Sequence, residues 1–265
     1  MDMGLNGSGA VVVGGANGIG RAIAEAFAES GAIVAIIDRS EAVATTALAI
    51  SAFGIKADVT DYSAMQAAVS SIKSAFEATP IVHVVYAAGM GSGKFGFPFW
   101  NLSPADWPRV LDVNLMGAVN TAHAFVPQLL EGKTGSIAFI ASIAGQIGSQ
   151  TDPPYSAAKA GIINFAMCAA KDLAPYGIRV NSVCPGMIQT DLNRSVFQAW
   201  NDRQPEDAKM TYEEWGASKV KTVAPLGRWQ QPGEIAALCV YLASKHGINI
   251  TGQTLNVDGG QVMHW

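Results

Sequence analysis

The sequence predicts an α/β fold in which one doubly wound parallel sheet of about seven strands carries helices on both faces, the Rossmann-type arrangement. Three observations lead to this prediction. Short β-branched runs alternate with longer helical patterns, a glycine-rich turn joins the first strand to the first helix, and 49% of the residues are apolar while 14% are charged. Strands covered on both faces need such an apolar composition. We therefore expect a single domain over residues 1–265.

The first half of the chain shows the strand–helix alternation four times. Each predicted strand is a short apolar run, and each predicted helix has apolar residues three or four positions apart. The predicted strands span residues 10–13, 32–37, 54–57 and 81–87, and the predicted helices span residues 21–29, 41–51, 62–78 and a long segment within 104–130. Strands that alternate with helices form parallel sheets, whose ligands bind at the carboxyl ends of the strands.

The second half continues the alternation around a longer insertion. The predicted strands span residues 136–141, 178–184 and 254–257, and the predicted helices span residues 153–175 and 231–244. Asp152 is a candidate N-cap for the first of these helices. Residues 187–224 have little clear periodicity, and an insertion of this length after a strand predicts a lid. The aromatic segment 95–100 predicts a substrate wall or a subunit contact, and the subunit contact is favoured.

The glycine-rich turn after the first strand predicts a dinucleotide site. Its candidate residues are Gly14, Asn17, Gly18, Ile19 and Gly20. Glycines let the backbone approach a pyrophosphate, and the helix N-terminus attracts its charge. The second strand ends in Asp38, at the distance expected for an acid that binds the ribose hydroxyls and repels a 2′-phosphate. This favours NAD over NADP, although Arg39 could instead serve a phosphate or stack on adenine.

Tyr155 and Lys159 are the candidate acid/base pair. They lie four residues apart on the helix predicted to begin after Asp152, so they share one helix face. A cation within reach of a phenol favours the phenolate, which predicts a lowered pKa for Tyr155. Ser142 follows a predicted buried strand and can hold a substrate oxygen in line with that phenol. The pair alone is a weak signal in a chain of this length, and its weight comes from the residues around it.

Two further polar residues each have a structural and a functional interpretation. Asp58, which precedes Val59 after the third predicted strand, could bond an adenine amino group or simply cap the next helix. Asn114 lies inside a predicted helix, where an asparagine is most often a solvated or packing residue. The alternative is that Asn114 bends the helix and relays a proton through water.

Composition argues against several other classes of protein. A net charge of −4 without a Lys/Arg cluster disfavours nucleic-acid binding, and no apolar stretch is long enough to span a membrane. The three cysteines are far apart in the sequence, which predicts reduced thiols and a cytoplasmic protein. The four histidines are not clustered, so no metal site is expected.

Taken together, these residues resemble the classical short-chain dehydrogenase/reductase family over essentially the whole chain. The glycine motif of that family is matched by Gly14, Gly18 and Gly20. Its active-site pattern is matched in order and spacing by Asn114, Ser142, Tyr155 and Lys159. Its Pro-Gly segment after the sixth strand is matched by Pro185 and Gly186, followed by Ile188 and Thr190 at the positions that hold the nicotinamide carboxamide.

The chain departs from the family pattern at two places. Val13 stands where the family has threonine, and the segment Tyr86-Ala87-Ala88-Gly89 replaces Asn-Asn-Ala-Gly. The family residues steady the cofactor loop and the central strand through side-chain hydrogen bonds. We expect their loss to cost about 1 kcal/mol per bond without removing a reacting group.

The resemblance implies hydride transfer between NAD(H) and a secondary alcohol or ketone. Tyr155 would exchange the hydroxyl proton, Lys159 would lower its pKa and hold the nicotinamide ribose, Ser142 would orient the substrate oxygen, and Asn114 would hold a water. The residues expected at the cofactor are Gly14, Asn17, Gly18, Ile19, Gly20, Asp38, Arg39, Asp58, Val59, Ala87, Tyr155, Lys159, Pro185, Gly186, Ile188 and Thr190. The resemblance also implies a homotetramer, and the apolar C-terminal residues 262–265 suit a subunit contact.

Other functions remain open at this stage. The main alternative is a non-catalytic NAD-binding sensor or regulator with the same fold, while a dehydratase, an epimerase and a carrier-protein-linked reductase are disfavoured. For the substrate, we expect a cyclic or aryl secondary alcohol ahead of a sugar or polyol. The residues behind an amphipathic pocket are Met187, Gln189, Phe197, Trp200 and Trp215, and those that could bind further hydroxyls are Gln146, Gln150 and Asp152.

Overall fold

Seven parallel strands form the sheet of the computed structural model, which describes residues 2–264. The strands are β1 Gly9–Val13, β2 Ile33–Asp38, β3 Phe53–Lys56, β4 Ile81–Tyr86, β5 Gly135–Ile140, β6 Ile178–Pro185 and β7 Thr254–Val257. Their order in the sheet is β3-β2-β1-β4-β5-β6-β7. The chain therefore reverses its direction of travel between β1 and β4, where open α/β sheets bind ligands. The predicted doubly wound parallel sheet is confirmed.

Ten α-helices connect the strands within the described residues. They are α1 Gly18–Glu29, α2 Ala42–Ala49, α3 Tyr62–Phe76, α4 Pro108–Leu111, α5 Gly117–Gly132, α6 Ala144–Ile147, α7 Pro153–Leu173, α8 Asp191–Asn201, α9 Tyr212–Val223 and α10 Pro232–Ala243. Helices α3, α5 and α7 cover one face of the sheet, and α1, α2 and α10 cover the other.

Each strand supplies side chains to both faces in turn. On β1, Val11 and Val13 pack under α3, α5 and α7, while Val12 packs under α1 and α10. All three are fully buried. Full burial of such a side chain contributes about 1.5–3 kcal/mol, so the central strands carry much of the stability of the fold.

The segment predicted as one long helix within 104–130 is interrupted. A 3₁₀ turn at Pro104–Asp106 and the short helix α4 lead into a π-helical turn at Asp112–Met116, and α5 then runs on to Gly132. The predicted long helix bearing Asn114 is present, and it contains a π-helical turn that apolar spacing does not reveal. Asn114 lies inside the π-helical turn, so the helix is irregular at that residue.

Residues 187–224 are more regular than their sequence pattern indicated. They contain α8 and α9, whose first turns are capped by the Thr190 and Thr211 hydroxyls. Phe197, Tyr212 and Trp215 are buried together, and we call these three residues the aromatic cluster. The ring centroids of Phe197 and Trp215 lie 5.4 Å apart. The segment thus has a small core of its own.

No helix among residues 2–264 is long and apolar enough to cross a membrane. Trp265, which belongs to the predicted C-terminal contact, lies outside the described residues.

Trp215→Ala is expected to loosen residues 187–224 before it unfolds the rest of the chain, because Trp215 packs mainly within the aromatic cluster. Truncation of a buried Trp costs about 3–5 kcal/mol. Limited trypsin digestion followed by mass spectrometry should show cleavage in this segment on the order of tenfold faster or more. Trp100→Ala is the matched control, since Trp100 is 71% exposed. Equal cleavage of the two variants would contradict the expectation.

Candidate active site

A cavity of about 390 Å³ opens at the carboxyl ends of β1, β4, β5 and β6. It brings together residues that are distant in the sequence. All sixteen residues predicted to contact the cofactor line it, namely Gly14, Asn17, Gly18, Ile19, Gly20, Asp38, Arg39, Asp58, Val59, Ala87, Tyr155, Lys159, Pro185, Gly186, Ile188 and Thr190. Ser142 also lines this cavity, and Asn114 is fully buried behind Gly89.

The glycine-rich turn is shaped by close backbone packing and leaves an open cradle. Gly14 has a φ of +83°, and a Cβ there would lie 2.4 Å from the Ala88 nitrogen. A Cβ on Gly20 would lie 2.0 Å from the Gly14 carbonyl oxygen. At Gly18, by contrast, the nearest atom to an added Cβ is 3.8 Å away on Thr190. The space above the start of α1 therefore fits a pyrophosphate, whose charge the helix N-terminus favours.

Asp38 is held at the edge of the same cavity by two backbone hydrogen bonds. Its Oδ2 accepts from the Ala16 N–H at 3.1 Å, and its Oδ1 accepts from the Ser40 N–H at 2.9 Å. The carboxylate is therefore fixed in place beside Arg39, whose side chain is exposed. This geometry fits an acid that accepts hydrogen bonds from ribose hydroxyls.

Asp58 is fixed by hydrogen bonds to its own loop and to the neighbouring connection. The Asp58 carboxylate accepts from the Thr60 backbone at 2.9 Å and hydroxyl at 2.8 Å, and from Arg109 at 3.2 Å. Burial acts to raise the pKa of Asp58, but these bonds outweigh burial and lower it. The side chain that caps α3 is Asp61, so the interpretation of Asp58 as that cap was wrong.

Lys159 connects the helix of the acid/base pair to the sheet. The Lys159 ammonium donates to the Ile140 carbonyl at 2.9 Å, and its nitrogen lies 5.4 Å from the centroid of the Tyr155 ring. Ser142 stands two residues beyond the end of β5, and its hydroxyl accepts from the Ala144 N–H at 3.1 Å. Strand β5 therefore carries the anchor for the lysine and the serine that faces the phenol.

In the acid/base pair Lys159 is buried and Tyr155 is half-buried, and desolvation shifts the pKa of both. Burial raises the pKa of Tyr155 to about 12, against the opposing effect of the Ser142 hydroxyl. Burial also lowers the pKa of Lys159 to about 8. The prediction that the lysine lowers the pKa of the phenol was therefore wrong for this structure. Desolvation disfavours the phenolate, and the nearby Asp152 carboxylate disfavours it further.

Asn114 is joined to both neighbouring segments and keeps one atom unpaired. Its Nδ2 donates to the Met90 carbonyl at 2.7 Å and to the Val110 carbonyl at 2.8 Å. Its Oδ1 is buried without a hydrogen-bond partner in residues 2–264. A Cβ on Gly89 would lie 2.9 Å from this Oδ1 and 3.4 Å from the Lys159 nitrogen. The Asn114 Oδ1 and the Lys159 nitrogen thus lie close to the same side of Gly89.

Tyr86 replaces the asparagine of the family pattern with a different hydrogen bond. The Tyr86 side chain is fully buried, and its hydroxyl donates to the Val113 carbonyl in the π-helical turn. Gly117 makes room for it, since a Cβ there would meet the Tyr86 hydroxyl. Position 86 therefore still makes a side-chain hydrogen bond, although to a different partner. At the other departure, Val13 is fully buried, and its carbonyl accepts from the Ala87 N–H at 2.7 Å.

The substrate end of the cavity differs from the predicted amphipathic pocket. Phe197 and Trp215 belong to the aromatic cluster, and Met187 and Trp200 pack against it, so these residues do not line the cavity. Residues 187–224 contribute other side chains to it, namely Ile188, Thr190, Asp191, Leu192, Asn193 and Val196. The prediction of an amphipathic pocket lined by these residues and Gln189 was wrong, because large aromatic residues bury most area by packing on one another.

Two of the three residues proposed to bind further hydroxyls lie elsewhere. Gln146 pairs with Asn256 at 2.7 Å and with His264 at 2.8 Å. Gln150 lines a second cavity of about 660 Å³, together with residues 96–100 of the aromatic segment. Asp152 lines the main cavity and occupies the N-cap position of α7 as predicted. Its carboxylate accepts from the Ser92 N–H at 2.7 Å.

Comparison with known proteins agrees with this geometry. Residues 14–262 match a family model described as enoyl-(acyl carrier protein) reductase. The chain is 36% identical over 260 residues to an acetoacetyl-CoA reductase of Synechocystis sp., covering 98% of each chain. It is 35% identical to a galactitol 2-dehydrogenase of Rhizobium johnstonii, over 97% of this chain and 95% of the other. A solved actinorhodin polyketide ketoreductase with NADPH superimposes with a TM-score of 0.87 at 30% identity, covering 96% and 97%.

Tyr86→Phe is expected to lower the free energy of unfolding by about 1–3 kcal/mol, because the buried Val113 carbonyl loses its donor. Urea denaturation of purified protein measures this change. Tyr176→Phe is the matched control, since Tyr176 is 50% exposed and a surface change of this kind stays within about 0.5 kcal/mol. Equal stability of Tyr86→Phe and the unmodified chain would contradict the role assigned to the Tyr86 hydroxyl.

Proposed function

This chain belongs to the classical short-chain dehydrogenase/reductase family, and from that premise we propose that it transfers a hydride between NAD(H) and a secondary alcohol or ketone. The observation that carries the proposal is the position of Ser142, Tyr155 and Lys159 in the same cavity as the glycine-rich turn and Asp38. Because the glycine-rich turn and the acid/base pair line one cavity, a cofactor bound along the turn could extend its nicotinamide end to the pair.

In the proposed reaction the nicotinamide group accepts or supplies the hydride, and the side chains handle the proton and the substrate oxygen. Tyr155 gives its proton to the carbonyl oxygen during reduction, and takes the hydroxyl proton during oxidation. Ser142 donates a hydrogen bond to the substrate oxygen and so holds it in line with the phenol.

Lys159 and Asn114 support the proton transfer from behind the phenol. The Lys159 side chain is almost fully buried, so it has few other partners than Ile140 and the cofactor ribose. We assign to the Asn114 Oδ1 the role of holding a water beside Gly89, through which Lys159 exchanges protons with solvent. The unpaired Oδ1 and the nearby lysine nitrogen support this assignment.

For the cofactor we propose NAD rather than NADP. The support is the fixed carboxylate of Asp38 at the cavity edge, which would repel a 2′-phosphate. A structural relative was solved with NADPH, the cofactor that this proposal disfavours for the present chain. Arg39 beside Asp38 is the residue through which a phosphate would be tolerated here.

The predicted order of substrate classes changes. The preference for cyclic or aryl alcohols rested on aromatic residues that lie in the aromatic cluster instead of the cavity. We propose a sugar or polyol as the substrate class, which is supported by the acidic and amide side chains Asp152, Asp191 and Asn193 in the cavity wall. The similarity to a galactitol 2-dehydrogenase agrees with this choice.

Three features of the sequence-based interpretation continue as proposals. We propose that residues 187–224 act as a lid, since α8 supplies Leu192 and Val196 to the cavity and is held to α9 by the aromatic cluster. We propose a homotetramer, supported by the exposed apolar side chains of Met116 and Met167 beside α5 and on α7. We also propose a cytoplasmic location, with which the free state of all three cysteines agrees.

Tyr155→Phe is expected to bind NADH as the unmodified chain does and to lose turnover on the order of 10²–10⁴-fold, because only the phenolic proton donor is removed. A panel of secondary alcohols and polyols, followed by absorbance of the reduced cofactor, measures turnover. Titration of NADH fluorescence measures binding. Tyr62→Phe, on the partly exposed first turn of α3, is the control. Undiminished turnover in Tyr155→Phe would refute the mechanism. If the unmodified chain binds NADH but oxidises no alcohol of the panel, the result would favour the alternative of a non-catalytic NAD-binding sensor.

Asp38→Asn is expected to reduce the preference for NAD over NADP on the order of 10²-fold, because the amide loses the charge that repels a 2′-phosphate. Its single oxygen can accept only one of the two backbone hydrogen bonds that Asp38 accepts. The measurement is the ratio of kcat/KM for the two cofactors with one substrate. Asp172→Asn changes an exposed acid on α7 and should leave the ratio unaltered. An unmodified chain that prefers NADP would contradict the cofactor assignment.

A further inference from the structure

Residues 89–92 follow strand β4 and form part of the cavity wall, and we call them the β4 loop. Gly89, Met90 and Gly91 all line the cavity that holds Tyr155. The β4 loop lies outside the strands and helices of the fold. Its backbone groups therefore depend on partners from other elements.

Two buried side chains hold the backbone of the β4 loop. The Asn114 Nδ2 donates to the Met90 carbonyl at 2.7 Å. Two residues further on, the Asp152 Oδ2 accepts from the Ser92 N–H, also at 2.7 Å. Asn114 is fully buried, and Asp152 is 7% exposed. The loop is thus bonded at both ends, once through a carbonyl and once through an N–H group.

Asp152 directs its hydrogen bonding to the β4 loop and not to its own helix. It occupies the N-cap position of α7, but its side chain makes no capping bond there. Its Oδ1 is buried and has no hydrogen-bond partner within residues 2–264. The bond at Oδ2 is assisted by the carboxylate charge, which makes it stronger than a bond between neutral groups. Asp152 therefore attaches the loop to the start of the helix that carries Tyr155.

The chain beside Asp152 reinforces this attachment. The Gly96 N–H donates to the Thr151 carbonyl at 2.8 Å. A Cβ on Gly96 would lie 2.4 Å from the Pro153 Cδ, so the two segments are in close contact. The chain after β4 is thus joined to residues 151–153 at two successive points.

Gly91 allows the β4 loop to approach the Asp152 carboxylate. A Cβ on Gly91 would lie 2.7 Å from the Asp152 Oδ2 and 3.5 Å from the Leu192 Cδ1. Gly91 is not among the glycines with a positive φ, so its backbone conformation is open to other residues. The absence of a side chain therefore serves the close approach of the loop and not its backbone geometry.

The same carboxylate lies within electrostatic reach of the phenol. Burial and, to a smaller extent, the Asp152 carboxylate raise the pKa of Tyr155, while the Ser142 hydroxyl lowers it. Asp152 thus stands between the acid/base residue and the β4 loop, and it is bonded to the loop.

We propose that Asp152 is a positioning residue, which holds the β4 loop against the start of α7 and so fixes the cavity wall beside the Tyr155 phenol. This inference rests on the proposed function and deepens it. A displacement of about 1 Å among the groups that position a substrate can cost on the order of 10²-fold in rate. A loop released from Asp152 therefore lowers turnover although every reacting group is still present.

Asp152→Ala is expected to lower kcat by on the order of 10–10²-fold with NADH binding close to that of the unmodified chain. Turnover is measured at saturating substrate and expressed per NADH-binding site, so that a loss of folded protein does not count as a loss of kcat. Asp152→Asn keeps an oxygen that can accept from the Ser92 N–H, and it should recover most of the loss. Asp61→Ala is the matched control, because Asp61 caps α3 through the Ala64 N–H and does not line the cavity. An unaltered kcat in Asp152→Ala would overturn the proposal.

Gly91→Ala tests the same contact from the side of the loop. The added methyl group meets the Asp152 Oδ2, so the variant should lose turnover in the same direction as Asp152→Ala. In the double variant Gly91→Ala/Asp152→Ala the obstructing oxygen is absent, and the second substitution should cost nothing further. Gly132→Ala is the control, since no atom lies within 4 Å of a Cβ at that position. Losses that multiply in the double variant would contradict the proposed contact.

Amide hydrogen exchange, measured by mass spectrometry, tests the attachment without any substrate. In Asp152→Ala the peptide that contains Ser92 should exchange on the order of tenfold faster or more, because its N–H loses the acceptor. In Asp61→Ala the faster exchange should be confined to the start of α3. If no alcohol is oxidised but Ser92 exchanges faster in Asp152→Ala, the proposed reaction fails and the role of Asp152 in holding the cavity wall stands. Unchanged exchange at Ser92 in that variant would overturn the proposal.

Discussion

The hydrogen bond from the Lys159 ammonium to the Ile140 carbonyl is the interaction on which the site depends. It crosses from α7 to the end of β5 and so fixes the helix that bears Tyr155 relative to the strand that leads to Ser142. A lysine buried this deeply has its pKa lowered, and one charge-assisted bond to a carbonyl compensates only part of that cost. The position is therefore strained electrostatically, as functional sites commonly are.

Hydrogen bonds from neighbouring elements also support the π-helical turn at Asp112–Met116. Asn114 donates to Met90 and Val110, Tyr86 donates to Val113, and Gly117 leaves space for the tyrosine hydroxyl. These bonds connect β4, the loop after it and the following helix. They explain how an irregular turn can persist in a buried position, since its carbonyl groups find partners from neighbouring elements. The Oδ1 of Asn114 is the exception, since it has no hydrogen-bond partner within residues 2–264.

Much of this arrangement was predictable from the amino-acid sequence, and the predictions that were wrong share a cause. Strand and helix positions followed from apolar periodicity, and Gly14, Gly18, Gly20, Asp38 and Tyr155 were placed in one site because each follows or begins a regular element. The errors concerned side chains whose partners lie far away in sequence. The Asp152 carboxylate accepts from the Ser92 N–H, and Tyr86 donates to the Val113 carbonyl, which is 27 residues away in the sequence. No local pattern encodes such a choice of partner.

The sequence by itself determined the parallel sheet, the cofactor turn and the order of the acid/base residues, because local spacing and residue type are sufficient for each. Only the tertiary structure decided the protonation tendency of Tyr155, since desolvation depends on every element that packs around the phenol. It also decided that Phe197 and Trp215 pack on each other rather than line the cavity, and that one oxygen of Asp152 remains without a donor. Each of these properties depends on residues that are distant in the sequence and become neighbours only on folding. Local spacing and residue type therefore do not reveal them.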